Sequence, residues 1–423
     1  MRLKLSSNFR FQPVRFFALC ILSVLFIQAA YTGPAAQRKP GGKETAESTE
    51  ENTVESTAPD RLFLAGTARG LYSIDGKGNA VCLRPGPDVR KIIRAGSAWL
   101  ILSGDGIFRS SDLRQWENRG GGLPVKTIKV FEDGKKSFVS AVQDIKDLEV
   151  NTSNPDVMVC AVRDAVFLSV DGGISWRSLG SPALRTDGIK AAASAYLPAG
   201  ESSELVIFMS HSVYGCYYIT PDIPGAAWTA ISGGLEELET TGNADEVSDI
   251  SVSAGPDGSP VIYVSQTFRK RVYRLDWSGK RFVPLWSGGE DFGAVDSLDP
   301  GTERLRFLAE GAVYETRVNT FNSETRGETR ERRDIADLIR NTAAGFEPDL
   351  LCAFIEGKDE TVSLSELWLL LPAKARKPQA AGRKGLYLPV NHAGDPSLLK
   401  PYLDIIASRG LDMIVVDMKD DYG

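Results

Sequence analysis

Histidine is nearly missing from this sequence, which holds only His211 and His392 in 423 residues. A multi-histidine metal site is thereby excluded, and a histidine-based triad has little to be built from. The five cysteines are scattered without metal-ligand spacing, and Cys82, Cys160, Cys216 and Cys352 read as small apolar side chains within strands. No metal and no cofactor is expected. Basic residues are not in excess either, 49 Lys and Arg standing against 55 Asp and Glu for a net charge of −6, which argues against a broad nucleic-acid-binding face. The apolar run Phe16 to Ala30 has about 15 residues, short of the roughly 20 a membrane-spanning helix needs.

What precedes that run gives it a meaning. Arg2, Lys4, Arg10 and Arg15 form a charged segment ahead of the apolar one, so residues 1–32 read as a signal peptide or signal anchor. Residues 33–59 are rich in Thr, Glu, Ser, Pro, Gly and Lys with little to bury, the composition of a disordered linker. The protein is therefore expected outside the cytoplasm, in the periplasm or cell envelope or secreted, touching a membrane only through its N-terminal segment.

From residue 60 to 372 the chain is a succession of short apolar runs bounded by Gly, Asp, Ser or Pro, which predicts strands. Seven pairs of runs can be counted, the first near Leu62 and Leu71 and the last near Leu350 and Leu367. A further strand-like run precedes most pairs: Lys91–Ala95, Ile145–Val150, Ile189–Tyr196, Val247–Ser253 and Phe292–Leu298. Between strands lies Ser169-Val170-Asp171-Gly172-Gly173-Ile174-Ser175-Trp176, in which an Asp can bond backbone N–H groups, glycines permit positive φ, and a Trp can plug the sheet. Degenerate copies recur: Asp112 leads to Trp116, Asp222 to Trp228, Asp276 to Phe282, and Asp75 to Val81. Glycine-rich exits follow the aromatics, Gly120-Gly121-Gly122-Leu123 after Trp116 and Gly233-Gly234-Leu235 after Trp228.

The eight-residue turn resembles the Asp-box, or BNR repeat, of sialidase-like β-propellers. The resemblance implies that Ser169, Asp171, Gly173 and Trp176, with Asp112, Trp116, Asp222 and Trp228, hold outer hairpins together and do no chemistry. With four strands per unit, the expected fold is mainly β, a propeller of about seven four-stranded blades. A two-sheet sandwich is the rival, disfavoured by the turn recurring at one place in each unit. Sialidase activity would require an Arg-Ile-Pro segment, which does not occur; Arg281-Phe282-Val283-Pro284 is the nearest string. The alternating charges of Glu324–Arg333 read as a solvated loop.

Residues 373–383 are a basic linker, and after it the pattern changes. Lys384–Val390 reads as a buried strand, Ser397–Arg409 as a helix stopped by Gly410, and Leu411–Asp417 as a second buried strand, together one βαβ unit within residues 384–423. Lys384-Gly385-Leu386-Tyr387-Leu388 and the closing Val416-Asp417-Met418-Lys419-Asp420-Asp421-Tyr422-Gly423 resemble the opening of a family of glycosyl hydrolases built as (β/α)-barrels. The resemblance implies a truncated α/β segment of a TIM-like barrel, with His392, Asp417, Lys419 and Asp420 in substrate-binding positions at strand C-termini. No catalytic residue is assigned, because glycoside hydrolysis needs two opposed carboxyl groups and the second is expected from later strands. Two functions follow: an exported carbohydrate-active or carbohydrate-binding protein whose hydrolase-like domain is incomplete and inactive in 423 residues, with a polysaccharide or glycan as ligand; or an exported binding and assembly scaffold without enzymatic activity, with a protein partner.

Overall fold

Apolar runs of four to seven residues, rich in Val, Ile, Leu and aromatics and cut by Gly and Asp, are long enough for strands and too short for helices. The structure, a computed structural model, describes residues 61–423 except 133–134, 183, 185–187, 239–241, 245, 268, 289–294, 310, 319–328, 347–348, 359, 368–369, 371–383, 389–391, 393–395, 412 and 417–423. The expected signal, the linkers 33–59 and 373–383, and Asp417, Lys419 and Asp420 lie outside the described residues.

Six antiparallel sheets form the blades of a β-propeller. The first five blades begin with the inner strands Val89–Ala95, Ile145–Val150, Ile189–Ala199, Val247–Ala254 and Val295–Pro300, and each adds three strands outward. The sixth blade is assembled from both ends of this region, in the order Thr361–Ser365, Leu350–Gly357, Arg61–Thr67, Gly70–Ile74, Ala80–Pro85. Phe63 faces Ile355 and Leu64 faces Phe354 across the seam.

That seam corrects the expected count of seven to six. The strand pairs near Leu62 and Leu350 were each read as a blade, yet they are two parts of one. Left alone, Arg61–Thr67 would be a bare edge strand, and pairing it with Leu350–Gly357 removes the edge and closes the ring. Thr361–Ser365 then adds a fifth strand on the axial side of this blade. Ser363 Oγ donates to Ile92 O of the first blade at 3.0 Å, and Ser365 Oγ lies 3.2 Å from Ser297 Oγ of the fifth.

The core is not one mass but six apolar clusters, one between each consecutive pair of blades. Alternate residues of a strand serve opposite neighbours: in the third blade Val206 and Phe208 pack toward the fourth, Leu205, Ile207 and Met209 toward the second. Both faces are covered, and so the strands read as continuous apolar runs.

Two insertions escaped sequence reading. The hairpin Val125–Glu132 with Lys135–Val142 lies in the chain between the first and second blades. The helix Arg333–Thr342 buries Ile335, Ala336 and Ile339 in the cluster between the fifth and sixth blades. The charge run before this helix is not merely solvated: Arg330–Glu331 is the fifth blade's outermost strand, and Arg332 is 7% exposed, donating to Glu315 at 2.6 Å and Glu360 at 2.9 Å.

Toward the C-terminus, Gly385–Leu388 and Met413–Val416 pair in parallel, with the helix Pro396–Arg409 between them in the chain. Gly410, at φ +64°, ends that helix, and Leu411 N–H returns to Ile406 O at 3.1 Å. Two α-helices are present among the described residues, which here show a βαβ unit and do not show a truncated barrel.

Candidate functional site

The five inner strands begin alike: Val89-Arg90-Lys91-Ile92, Ile145-Lys146-Asp147-Leu148, Ile189-Lys190-Ala191-Ala192, Val247-Ser248-Asp249-Ile250 and Val295-Asp296-Ser297-Leu298. In all five the register with the next strand slips just after the first residue. Such a bulge re-aims the side chains that follow it. The third residue of each set, Lys91, Asp147, Ala191, Asp249 and Ser297, lines an axial cavity of about 290 Å³. The sixth blade completes the lining with Leu351, Ser365 and Glu366.

A second cavity, of about 530 Å³, lies at the other ends of the inner strands, lined by Ala95, Asn151, Ala254, Pro300 and Thr361 among others. The two cavities share Lys91, Asp249 and Ser365, which therefore form the waist between them.

Charge is concentrated at that waist. Lys91 Nζ donates to Asp147 Oδ1 and to Glu149 Oε1, both at 2.7 Å. The other oxygen of Asp147 accepts the Ala192 N–H of the third blade at 3.2 Å, and Asp249 Oδ2 accepts the Leu298 N–H of the fifth at 2.9 Å. Each carboxylate thus satisfies a donor just after the next blade's bulge, tying second blade to third and fourth to fifth. Burial alone would lower the Lys91 ammonium, but the surrounding Asp147, Glu149 and Asp249 carboxylates reverse that and hold it above the ordinary lysine value. Burial pushes Glu149 up to about 7 and Asp249 up to about 6, against the pull of Lys91. Asp299, on the wall of the larger cavity, is pushed up to about 6 by burial although Arg306 stands 3.3 Å away.

Near neutral pH such carboxyl groups can donate as well as accept, and Ser248, Ser297 and Ser365 add hydroxyls in the smaller cavity. The lining suits a ligand dense in hydroxyl groups. No cluster of metal-ligating side chains is present among the described residues.

Those of the residues singled out from sequence that the structure describes are elsewhere. Asp171 accepts from Ser175 N at 2.9 Å and from the Ser169 hydroxyl at 2.8 Å, while Ser169 Oγ accepts from Gly173 N at 2.9 Å. Asp112 accepts from Arg114 N at 2.8 Å and Gln115 N at 2.9 Å. Asp222 instead stands 3.9 Å from Arg177. Trp176 Nε1 donates to Arg119 O at 2.6 Å and Trp228 Nε1 to Leu179 O at 3.0 Å, in each case at the outer edge of the preceding blade. Trp116 Nε1 is buried without a partner. These turns join the third and fourth strands of their blades and contribute nothing to either cavity.

The glycine exits belong to the same device. Trp176 N–H bonds Gly121 O at 2.9 Å and Phe282 N–H bonds Gly233 O at 2.7 Å, so each aromatic's backbone straps onto the blade before it. A Cβ at Gly122 or Gly234 would come within 2.8 Å of Trp176 O or 2.1 Å of Phe282 O. In the βαβ unit, His392 Nδ1 lies 2.9 Å from Tyr402 Oη. Sequence reading missed Lys91, Asp147, Glu149 and Asp249. The signal was there for three of them, since Lys91, Asp147 and Asp249 are each the third residue of an inner strand; Glu149 stands two places further on.

No family model and no curated protein matches the chain. Among solved structures it is similar to the GH74 xyloglucanase from Xanthomonas campestris, with a TM-score of 0.41 and 17% identity, covering 64% of this chain and 45% of that one. It is similar also to the extracellular domain of BT4673 from B. thetaiotaomicron, with a TM-score of 0.42 and 12% identity over 78% of this chain and 45% of that one. The chain thus spans less than half the length of either.

Proposed function

We propose that this is an exported carbohydrate-binding propeller protein whose ligand enters the axial cavities. The observation that carries the reading is the smaller cavity, to which all six blades contribute and whose walls offer hydroxyls, carboxyls and ammonium groups together. Export rests on the basic and apolar segments that open the chain. In the same reading the βαβ unit is the opening of a glycoside-hydrolase-like barrel, with His392, Asp417, Lys419 and Asp420 contacting sugar there.

Affinity electrophoresis through gels holding soluble polysaccharides tests the reading, with Asp249→Asn beside the native chain. Retardation by at least one polysaccharide, weakened about tenfold by Asp249→Asn, is the expected result, on the strength of a hydrogen bond to a charged group. A second reading, an assembly scaffold without sugar binding, is favoured by the Lys91 bridge and the strand Thr361–Ser365 that narrow the channel. Folded protein retarded by no polysaccharide would select it.

A further inference from the structure

The second residue of the first four inner-strand sets divides the mouth of the smaller cavity in two. From the first three blades it is basic: Arg90, Lys146 and Lys190 all line the cavity. On the remaining arc the lining is Ser248, Asp249, Ser297, Leu351, Ser365 and Glu366, three hydroxyls, two carboxyls and one apolar side chain. The first three blades thus bring three cations to the mouth beside the Lys91–Asp147 pair, and the other three bring mainly hydrogen-bonding groups. Glu366 is held at φ +59°, a conformation that costs a non-glycine residue free energy and that fixes where its side chain starts.

The rim cations already have partners. Asp144 bridges Arg90 Nη1 at 3.1 Å and Lys146 Nζ at 2.5 Å, Asp88 meets Arg90 Nε at 3.1 Å, and Glu246 meets Lys190 Nζ at 3.0 Å. These are half-exposed pairs of small net worth. A guanidinium offers five N–H donors and an ammonium three, so one or two outer carboxylates leave donors for a ligand. A volume of about 290 Å³ is at the small end for a ligand pocket and suits one sugar ring.

We infer that this cavity takes the terminal residue of an acidic glycan, a uronic acid. Its carboxylate lies toward Arg90, Lys146 and Lys190, and its ring hydroxyls toward the serines and Glu366. The inference rests on the carbohydrate-binding reading above and narrows it to one class of sugar and one mouth of the channel.

Calorimetric titration of the full chain tests it, with uronic acid oligomers, neutral oligosaccharides of matched length and a free uronic acid as ligands. The variants are Lys146→Gln/Lys190→Gln and the charge-keeping Lys190→Arg, with thermal melts to establish that each is folded. Uronic acid oligomers are expected to bind at least about tenfold tighter than neutral ones, and to weaken as salt is raised. The double substitution should bring them down to the neutral level, while Lys190→Arg keeps most of the affinity. Equal affinity of the free acid and the oligomer would place the whole ligand within the cavity and keep the inference. Neutral oligosaccharides binding as tightly as acidic ones, or acidic binding indifferent to the double substitution, would overturn it and leave the carbohydrate reading standing. No binding of any sugar would overturn both.

Discussion

Trp176 is 7% exposed and lies in the cluster between the first and second blades, with its indole N–H on Arg119 O. Truncation would empty part of that cluster and leave the carbonyl without its donor. Trp176→Ala should therefore destabilise the propeller by about 3–5 kcal/mol in urea unfolding, the usual range for a buried large aromatic; a loss below ~1 kcal/mol would mean that the indole does not tie the blades together. Asp171 works by different means. Its carboxyl is held at about 2, first by the Ser175 hydroxyl, then by Ser175 N–H and the Ser169 hydroxyl. The folded value lies below the ordinary aspartate value of 3.8, so what the ionised group contributes is present above about pH 4 and is lost as pH falls toward 2. A carboxyl-carbon NMR titration should find Asp171 ionising near 2, and an ordinary value near 4 would show the turn to be open. The Asp, the glycines and the Trp were legible in one stretch of sequence. The Trp's acceptor was not, because it lies 57 residues earlier, in another blade.

At the scale of elements, apolar patterning located the inner strands closely: Ile145–Val150 was read with the bounds it has, and Val247–Ser253 is one residue short of the strand observed. A strand buried on both faces shows as a block of apolar residues, and Pro turns mark its end. The bulge was not legible, since it is a matter of register, visible only once a strand has a partner. Nor was the helix Arg333–Thr342, whose three buried residues are hidden among charges. The seam in the sixth blade gives a test at this scale. Gly66 faces Cys352, and a Cβ there would stand 2.3 Å from Cys352 Sγ and 2.6 Å from Val89 O of the first blade. Gly66→Ala should cost about 1–3 kcal/mol through overpacking. Cys352→Ala on top of it should restore only part of that, because the backbone oxygen of Val89 cannot be trimmed. Full restoration would show that the first blade is not packed as tightly against the seam as these distances require.

For the whole molecule, the number of blades was the feature that strand patterns could not deliver, because only ring closure shows that the first and last strand pairs share a sheet. Closure also creates the axis, where residues far apart in sequence meet, and there the charges have a consequence for the entire fold. Glu149 is raised from 4.5 to about 7, and Asp249 and Asp299 from 3.8 to about 6, each chiefly by burial. The folded chain therefore holds protons that the unfolded chain has released between about pH 4 and 7, and stability must fall as pH rises through that window. The depressed carboxyls of Asp171, Asp112 and Asp75 act in the opposite sense, but below about pH 4, where their unfolded counterparts take up protons. The protein should accordingly be most stable on the acid side of neutrality, with a higher Tm at pH 5 than at pH 8. Glu149→Gln and Asp249→Asn remove a buried ionisation each while Asp147 still holds Lys91, so both should raise the Tm at pH 8 more than at pH 5 and flatten the profile. A Tm that is flat or rises from pH 5 to pH 8 in the native chain would mean that water reaches these carboxyls and that the waist of the channel is open.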